Sequence, residues 1–136
     1  MAEHNKSLAE AAQMAGVETS LDYATFQNYG YMGLYGGLRA ADIKVRKGLK
    51  KSQNILDHMG STELAANLFR ATQTDEKLRR DNVQGKAAAN QVHYQVGAKV
   101  RQTIKDLGGT MPEDLPTPEK SIKQLEREQE KKKLKE

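Results

Sequence analysis

Apolar residues recur along most of this chain at steps of three and four, the spacing that lines them up on one face of a helix. Over residues 3–15, Leu8, Ala11, Ala12 and Ala15 form a thin alanine-rich face that Gly16 ends. Such a face suits packing on another helix. Thr19, Ser20 and Asp22 offer N-caps for a helix through about Asn28, with Tyr23, Phe26 and Tyr29 toward one side. Gly30, Gly33 and Gly36 then recur at every third position and Gly37 follows. This stretch reads as an irregular loop with Tyr31, Met32, Leu34 and Tyr35 partly packed beneath it. Residues 39–47 read as a short helix broken by Gly48. Leu49, Ile55, Leu56 and Met59 carry a further helix as far as Gly60.

The clearest helical pattern covers Glu63–Arg80, capped by Ser61 or Thr62. Leu64, Leu68, Ala71 and Leu78 give its buried stripe, which Ala65 and Phe69 widen. Glu63, Asn67, Arg70 and Thr74 fall on a neighbouring polar face. That face fits either a solvated surface or a partner-binding strip. Thr72 or Thr74, ahead of Asp75 and Glu76, offers a second cap that would split the helix. Asp81–Gly85 reads as a turn. The next helix spans roughly Lys86–Leu107, with Ala89, Val92, Val96, Val100, Ile104 and Leu107 on its apolar side. Gly97 costs this helix about 1 kcal/mol relative to alanine, which a close helix crossing would justify. All three prolines fall between Pro112 and Pro118, so this segment reads as extended. Residues 119–136 carry seven cations and five acids, with Ile122, Leu125 and Leu134 as their apolar residues. They read as an exposed charged helix, too short in apolar turns for a coiled coil. Strand-like alternation is absent. The expected fold is all-α: a compact bundle of about five helices over residues 1–111, with a Gly/Tyr-rich loop, then an extended segment and charged tail over 112–136.

Charge sharpens the picture in one place. The net charge of +4 is uneven: residues 39–51 hold six cations against Asp42 alone, a local +5, and the rest sums to −1. A local basic run beside tyrosines is a candidate surface for nucleic acid or an acidic partner. Its residues are Tyr29, Tyr31, Tyr35, Arg39, Lys44, Arg46, Lys47, Lys50 and Lys51. Tyrosines packed in a small core are the competing reading. Lys50 and Lys51 would sit in a helix's first turn, where the helix dipole disfavours cations. The strip Glu63, Asn67, Arg70 and Thr74 is the candidate partner-binding helix face.

Other chemistry finds little support. There are no cysteines, so disulfides and thiolate chemistry are excluded. His4, His58 and His93 are dispersed and lack metal-ligand spacing, the adjacent Asp57–His58 pair included. Nucleophile-elbow, zincin, dinucleotide and P-loop patterns are absent. Neither a catalytic site nor a cofactor is expected. No apolar run approaches the roughly 20 residues that span a membrane, and the N-terminus lacks a signal-peptide core, so a cytoplasmic protein is expected.

The run from Leu56 to Thr74, Leu-Asp-His-Met-Gly-Ser-Thr-Glu-Leu-Ala-Ala-Asn-Leu-Phe-Arg-Ala-Thr-Gln-Thr, resembles the C-terminal region of the DNA-damage-inducible protein D family of enteric bacteria. Residues 31–38, 46–51, 99–104 and 108–113 support the resemblance, which spans nearly the whole chain. It implies a longer protein with an N-terminal BRO-type domain that this chain does not contain. It further implies induction in the SOS response and inhibition of RecA-driven strand exchange in recombination and repair. The implied partner is the RecA filament on single-stranded DNA, with single-stranded DNA itself as a further candidate. The alternative is a structural module that dimerises or supports the N-terminal DNA-binding domain, motivated by the alanine-rich first helix, Gly97 and the charged tail. No catalytic residue is implied.

Overall fold

The computed structural model describes residues 2–119 and 121–135; the side chains of 2–5, 122, 123, 125 and 132–135 are outside the description. Six α-helices occur among these residues: α1 (Ala2–Met14), α2 (Ser20–Leu34), α3 (Ala40–Lys47), α4 (Ser61–Arg80), α5 (Lys86–Asp106) and α6 (Ile122–Lys135). Short 3-10 turns occur at Ile55–His58 and Pro112–Asp114. The described residues contain no strand, and the all-α expectation holds.

The centre of the molecule is α2 against α5. The His93 ring nitrogen Nδ1 meets the Phe26 carbonyl and Arg101 meets the Leu34 carbonyl, both at a separation of 67 residues. A constant offset means the two helices run in the same direction. Gly30, Gly33 and Gly97 form the seam. A Cβ on Gly33 would lie 2.3 Å from the Tyr94 carbonyl oxygen, and one on Gly97 would lie 2.7 Å from that of Gly30. These helices touch backbone to backbone, closer than any side chain permits. The close crossing expected at Gly97 is therefore present. The loop expected over Gly30–Leu34 is not: α2 continues through it, because Gly30 and Gly33 let α5 approach. Irregular chain begins only at Gly36 and Gly37, both at positive φ.

Two apolar clusters flank this seam. Leu8, Ala11 and Ala12 of α1, and Ala15 just beyond it, are buried with Phe26, Ala71, Leu78, Ala89 and Val92. Here α1 lies on α4, as its alanine-rich face suggested, and Arg79 donates to the Ser7 carbonyl at 3.2 Å. The second cluster gathers Tyr31, Leu34, Tyr35, Ile43, Ile55, Met59 and Val100. Helix α3 ends at Gly48, which takes the left-handed conformation at φ 70. The helix expected from Leu49 to Met59 is instead a turn followed by a 3-10 turn. Lys50 and Lys51 therefore lie in no helix, and the unfavourable dipole placement does not arise. Helix α4 is unbroken at Thr72 and Thr74; Thr74 Oγ1 donates to the Arg70 carbonyl at 2.7 Å. After α5 the expected extended stretch is present at Met111 and Leu115, but Pro112–Asp114 between them is a 3-10 turn with Pro112 buried; α6 follows. The described α6 side chains from Gln124 to Lys131 are exposed. Ile122, Leu125 and Leu134 of the tail lie outside the described side chains.

Candidate functional site

The polar strip of α4 faces inward. Glu63, Asn67, Arg70 and Thr74 are at most 2% exposed, whereas Phe69 of the expected apolar stripe is 55% exposed. The reading of this strip as a solvated or partner-binding face is thus corrected. What makes interior placement tolerable is that neighbouring helices supply partners. Lys47 of α3 donates to Glu63 Oε1 at 2.6 Å, and that ion pair is almost wholly withdrawn from water. Lys47 also donates to the His58 carbonyl at 3.2 Å. The Tyr35 hydroxyl donates to the other Glu63 oxygen and accepts from Asn67 Nδ2 at 3.0 Å. Burial, then the adjacent Glu63 charge, drive the Tyr35 hydroxyl pKa far up, so it stays protonated as a donor.

One turn further along α4, Arg70 Nη1 meets His93 Nε2. His93 Nδ1 lies 2.8 Å from the Phe26 carbonyl, which requires a proton on Nδ1. Nε2 therefore carries the lone pair that accepts from Arg70. Burial and the Arg70 charge push the His93 pKa well below the ordinary value, against the opposing Phe26 hydrogen bond. His93 is neutral at pH 7. Its ring rests on the α2 backbone at Gly30, where a Cβ would come within 2.2 Å of Nε2. Arg70 also lies 5.0 Å from the centre of the Tyr31 ring and 3.3 Å from Asn67 Oδ1. Among the described residues no carboxylate pairs with it, so the Tyr31 ring face and neighbouring dipoles compensate this buried cation.

This arrangement corrects the tyrosine and lysine part of the proposed basic surface. Tyr31 and Tyr35 are core residues at 7% and 1% exposure, so neither offers a ring face to a base. Tyr29 is half-buried. Lys47 belongs to the buried pair. Of the remaining cations, Arg39, Lys50 and Lys51 are exposed, and Lys44 folds onto the Lys51 carbonyl at 2.7 Å. Arg46 is exposed but engaged: its Nη2 is 2.7 Å from Asp114 Oδ1. The structure thus splits the nine candidates: Tyr31, Tyr35 and Lys47 are interior, Tyr29 and Lys44 are partly buried, and Arg39, Arg46, Lys50 and Lys51 are exposed.

A surface feature escaped the sequence analysis. An apolar groove of about 380 Å³ runs between α4 and α5, with Ala65, Ala66, Phe69, Val100, Ile104 and Leu107 among its lining. Phe69 and Leu107 stay 55% and 80% exposed. The pattern did contain a hint, since α4 offers apolar residues around more than half its circumference while its polar strip contains only one charge of each sign. Periodicity alone cannot say which of two faces is inside. The alanine face of α1 and the Gly97 seam are both used within the chain, so neither is left to pack a second copy. Among the described residues no group of three His, Asp or Glu is placed to hold a metal ion. None of their helices is long and apolar enough to cross a membrane.

An all-α domain with a parallel glycine-seamed helix pair and a polar interior defines the class, and the chain belongs to the DinD C-terminal domain family, which matches residues 1–125. At the level of a single protein, it is 72% identical over 124 residues to DNA damage-inducible protein D of Escherichia coli (strain K12). That alignment covers 91% of this chain and 45% of the relative, so the chain spans less than half the relative's length. No solved structure matches.

Proposed function

We propose that this domain is a non-catalytic interaction module of a cytoplasmic DNA-damage-response protein. In this reading it inhibits RecA filaments on single-stranded DNA by binding the filament's protein surface. The relationship to DNA damage-inducible protein D supports the cellular setting. The observation that carries the molecular part is the division of apolar surface: Tyr31 and Tyr35, two of the three rings beside the basic run, are inside, while the α4–α5 groove with Phe69 at its rim is open. Its buried acid and cations are consumed in holding the helices together, which supports a binding role over a catalytic one.

The test is binding of the domain to preassembled RecA filaments, to bare single-stranded DNA and to free RecA, at two salt concentrations. Filament binding should persist at the higher salt, because an apolar contact is not screened. Phe69→Ser should weaken it at least about tenfold, within what one anchoring aromatic contributes to an interface. Equal affinity for bare DNA and filaments would overturn the protein-contact reading. Binding to none of the three would place recognition outside this domain.

A further inference from the structure

The 3-10 turn Pro112–Asp114 after α5 carries two consecutive acids, and each is held by a guanidinium from a different helix. Arg101 of α5 clamps the Glu113 carboxylate with both terminal nitrogens, at 2.7 and 2.9 Å. Arg46 of α3 donates to Asp114 Oδ1 at 2.7 Å and, through Nε, to the Glu113 carbonyl at 2.7 Å. Arg101 is set in place independently of this segment. It donates to the Leu34 carbonyl at 3.1 Å, and its guanidinium lies on Gly36, where a Cβ would come within 2.9 Å of Cζ. Two guanidiniums, of which Arg101 is fixed apart from this segment, thus hold two adjacent anionic groups. Both pairs remain reachable by solvent: side-chain exposures are 51% and 57% for Arg46 and Asp114, and 28% and 15% for Arg101 and Glu113. The exposed Arg46–Asp114 pair is of the weak, salt-sensitive kind, whereas the bidentate Arg101–Glu113 pair is the stronger of the two.

We propose that Arg46 and Arg101 form a binding site for two adjacent phosphates of a single-stranded nucleic acid, and that Glu113 and Asp114 occupy it as an internal acidic strap. The guanidinium fork matches phosphate as it matches carboxylate. Arg46 belongs to the basic run that also leaves Arg39, Lys50 and Lys51 exposed, and a surface with several exposed cations favours a phosphate backbone over an acidic peptide. The strap keeps the basic face closed at rest, so wild-type affinity for DNA is low. This proposal does not rest on filament binding, and its test uses no RecA.

Glu113→Gln with Asp114→Asn should bind a fluorescent single-stranded oligonucleotide at least about tenfold more tightly than the wild type at low salt. The plot of log affinity against log salt should steepen by about 1.4, two phosphates at roughly 0.7 each for single strands. Glu126→Gln with Glu130→Gln makes the same charge change on α6 and should alter affinity by less than about twofold, since screening limits remote charges. Adding Arg46→Gln and Arg101→Gln to the strap variant should abolish the gain. Should the strap double variant fail to fold, Asp114→Asn alone frees one guanidinium and should steepen the slope by about 0.7. Equal gains in the strap and α6 variants would overturn the site, as would a folded strap variant with no gain. Equally tight binding of a polyglutamate peptide would overturn the phosphate assignment.

Discussion

At the scale of single residues, the polar interior has members that cannot be removed one at a time. Glu63 and Lys47 are a buried ion pair, so Glu63→Gln leaves an ammonium without its counterion. We expect a loss of about 3–5 kcal/mol from that change, measured by urea unfolding. Lys47→Met should cost a similar amount, and the double variant much less than the sum, because it removes both charges from the interior. Additive losses would show that the two side chains do not act as a pair. His93 gives the interior a pH dependence. Its native pKa is depressed, so the unfolded chain binds a proton below about pH 6.5 that the native state refuses. Stability therefore falls as pH drops from 6.5 toward 5, by up to about 1.4 kcal/mol per unit for this one proton. The carboxylate of Glu113, which burial raises but Arg101 holds low, contributes its loss only at more acidic pH. Urea unfolding of His93→Asn should show lower stability at pH 7 and a flat profile between pH 6.5 and 5. A slope unchanged from the wild type would assign the effect elsewhere.

At the scale of elements, the α2–α5 seam inverts the ordinary rule for glycine in helices. Replacing a helical glycine by alanine gains about 1 kcal/mol from propensity alone. At Gly33 the added methyl would meet the Tyr94 carbonyl oxygen at 2.3 Å, an atom fixed by its own helix. Crowding of a packed interior costs about 1–3 kcal/mol, and here the obstacle is backbone, which no rotamer change relieves. Gly33→Ala should lower the melting temperature by about 4 °C or more, the shift that roughly 1 kcal/mol produces in a domain near this size. Gly97→Ala should do likewise. A rise in either variant would mean that the helices separate freely. The same seam explains why α2 outruns its expected end: glycines that read as loop punctuation are contact sites between two helices.

For the whole molecule, the packed part reaches Ser121, which is buried at the start of α6. From Gln124 to Lys131 every described side chain of α6 is exposed. Ending the chain after Leu125 should therefore change stability by no more than about 1 kcal/mol, within about 4 °C by thermal unfolding. Ending it after Gly109 removes buried Pro112 and both strap ion pairs; it should cost at least about 2 kcal/mol, since a buried apolar side chain alone is worth about 1.5–3. Equal effects of the two truncations would contradict this boundary. The sequence by itself determined the helical class, the extents of α1, α3, α4 and α5 to within a few residues, the close crossing at Gly97 and the turn at Gly48, because spacing and breakers are local signals. Only the tertiary structure decided which side of α4 is inside. Both sides carry a helical period, and a polar strip is tolerated in the interior only when other helices bring partners, as Lys47, Tyr35 and His93 do from 16, 28 and 23 residues away. The same non-local pairing decided that Tyr31 and Tyr35 are core, that Lys47 is not a surface cation, and that Arg46 meets an acid 68 residues further along.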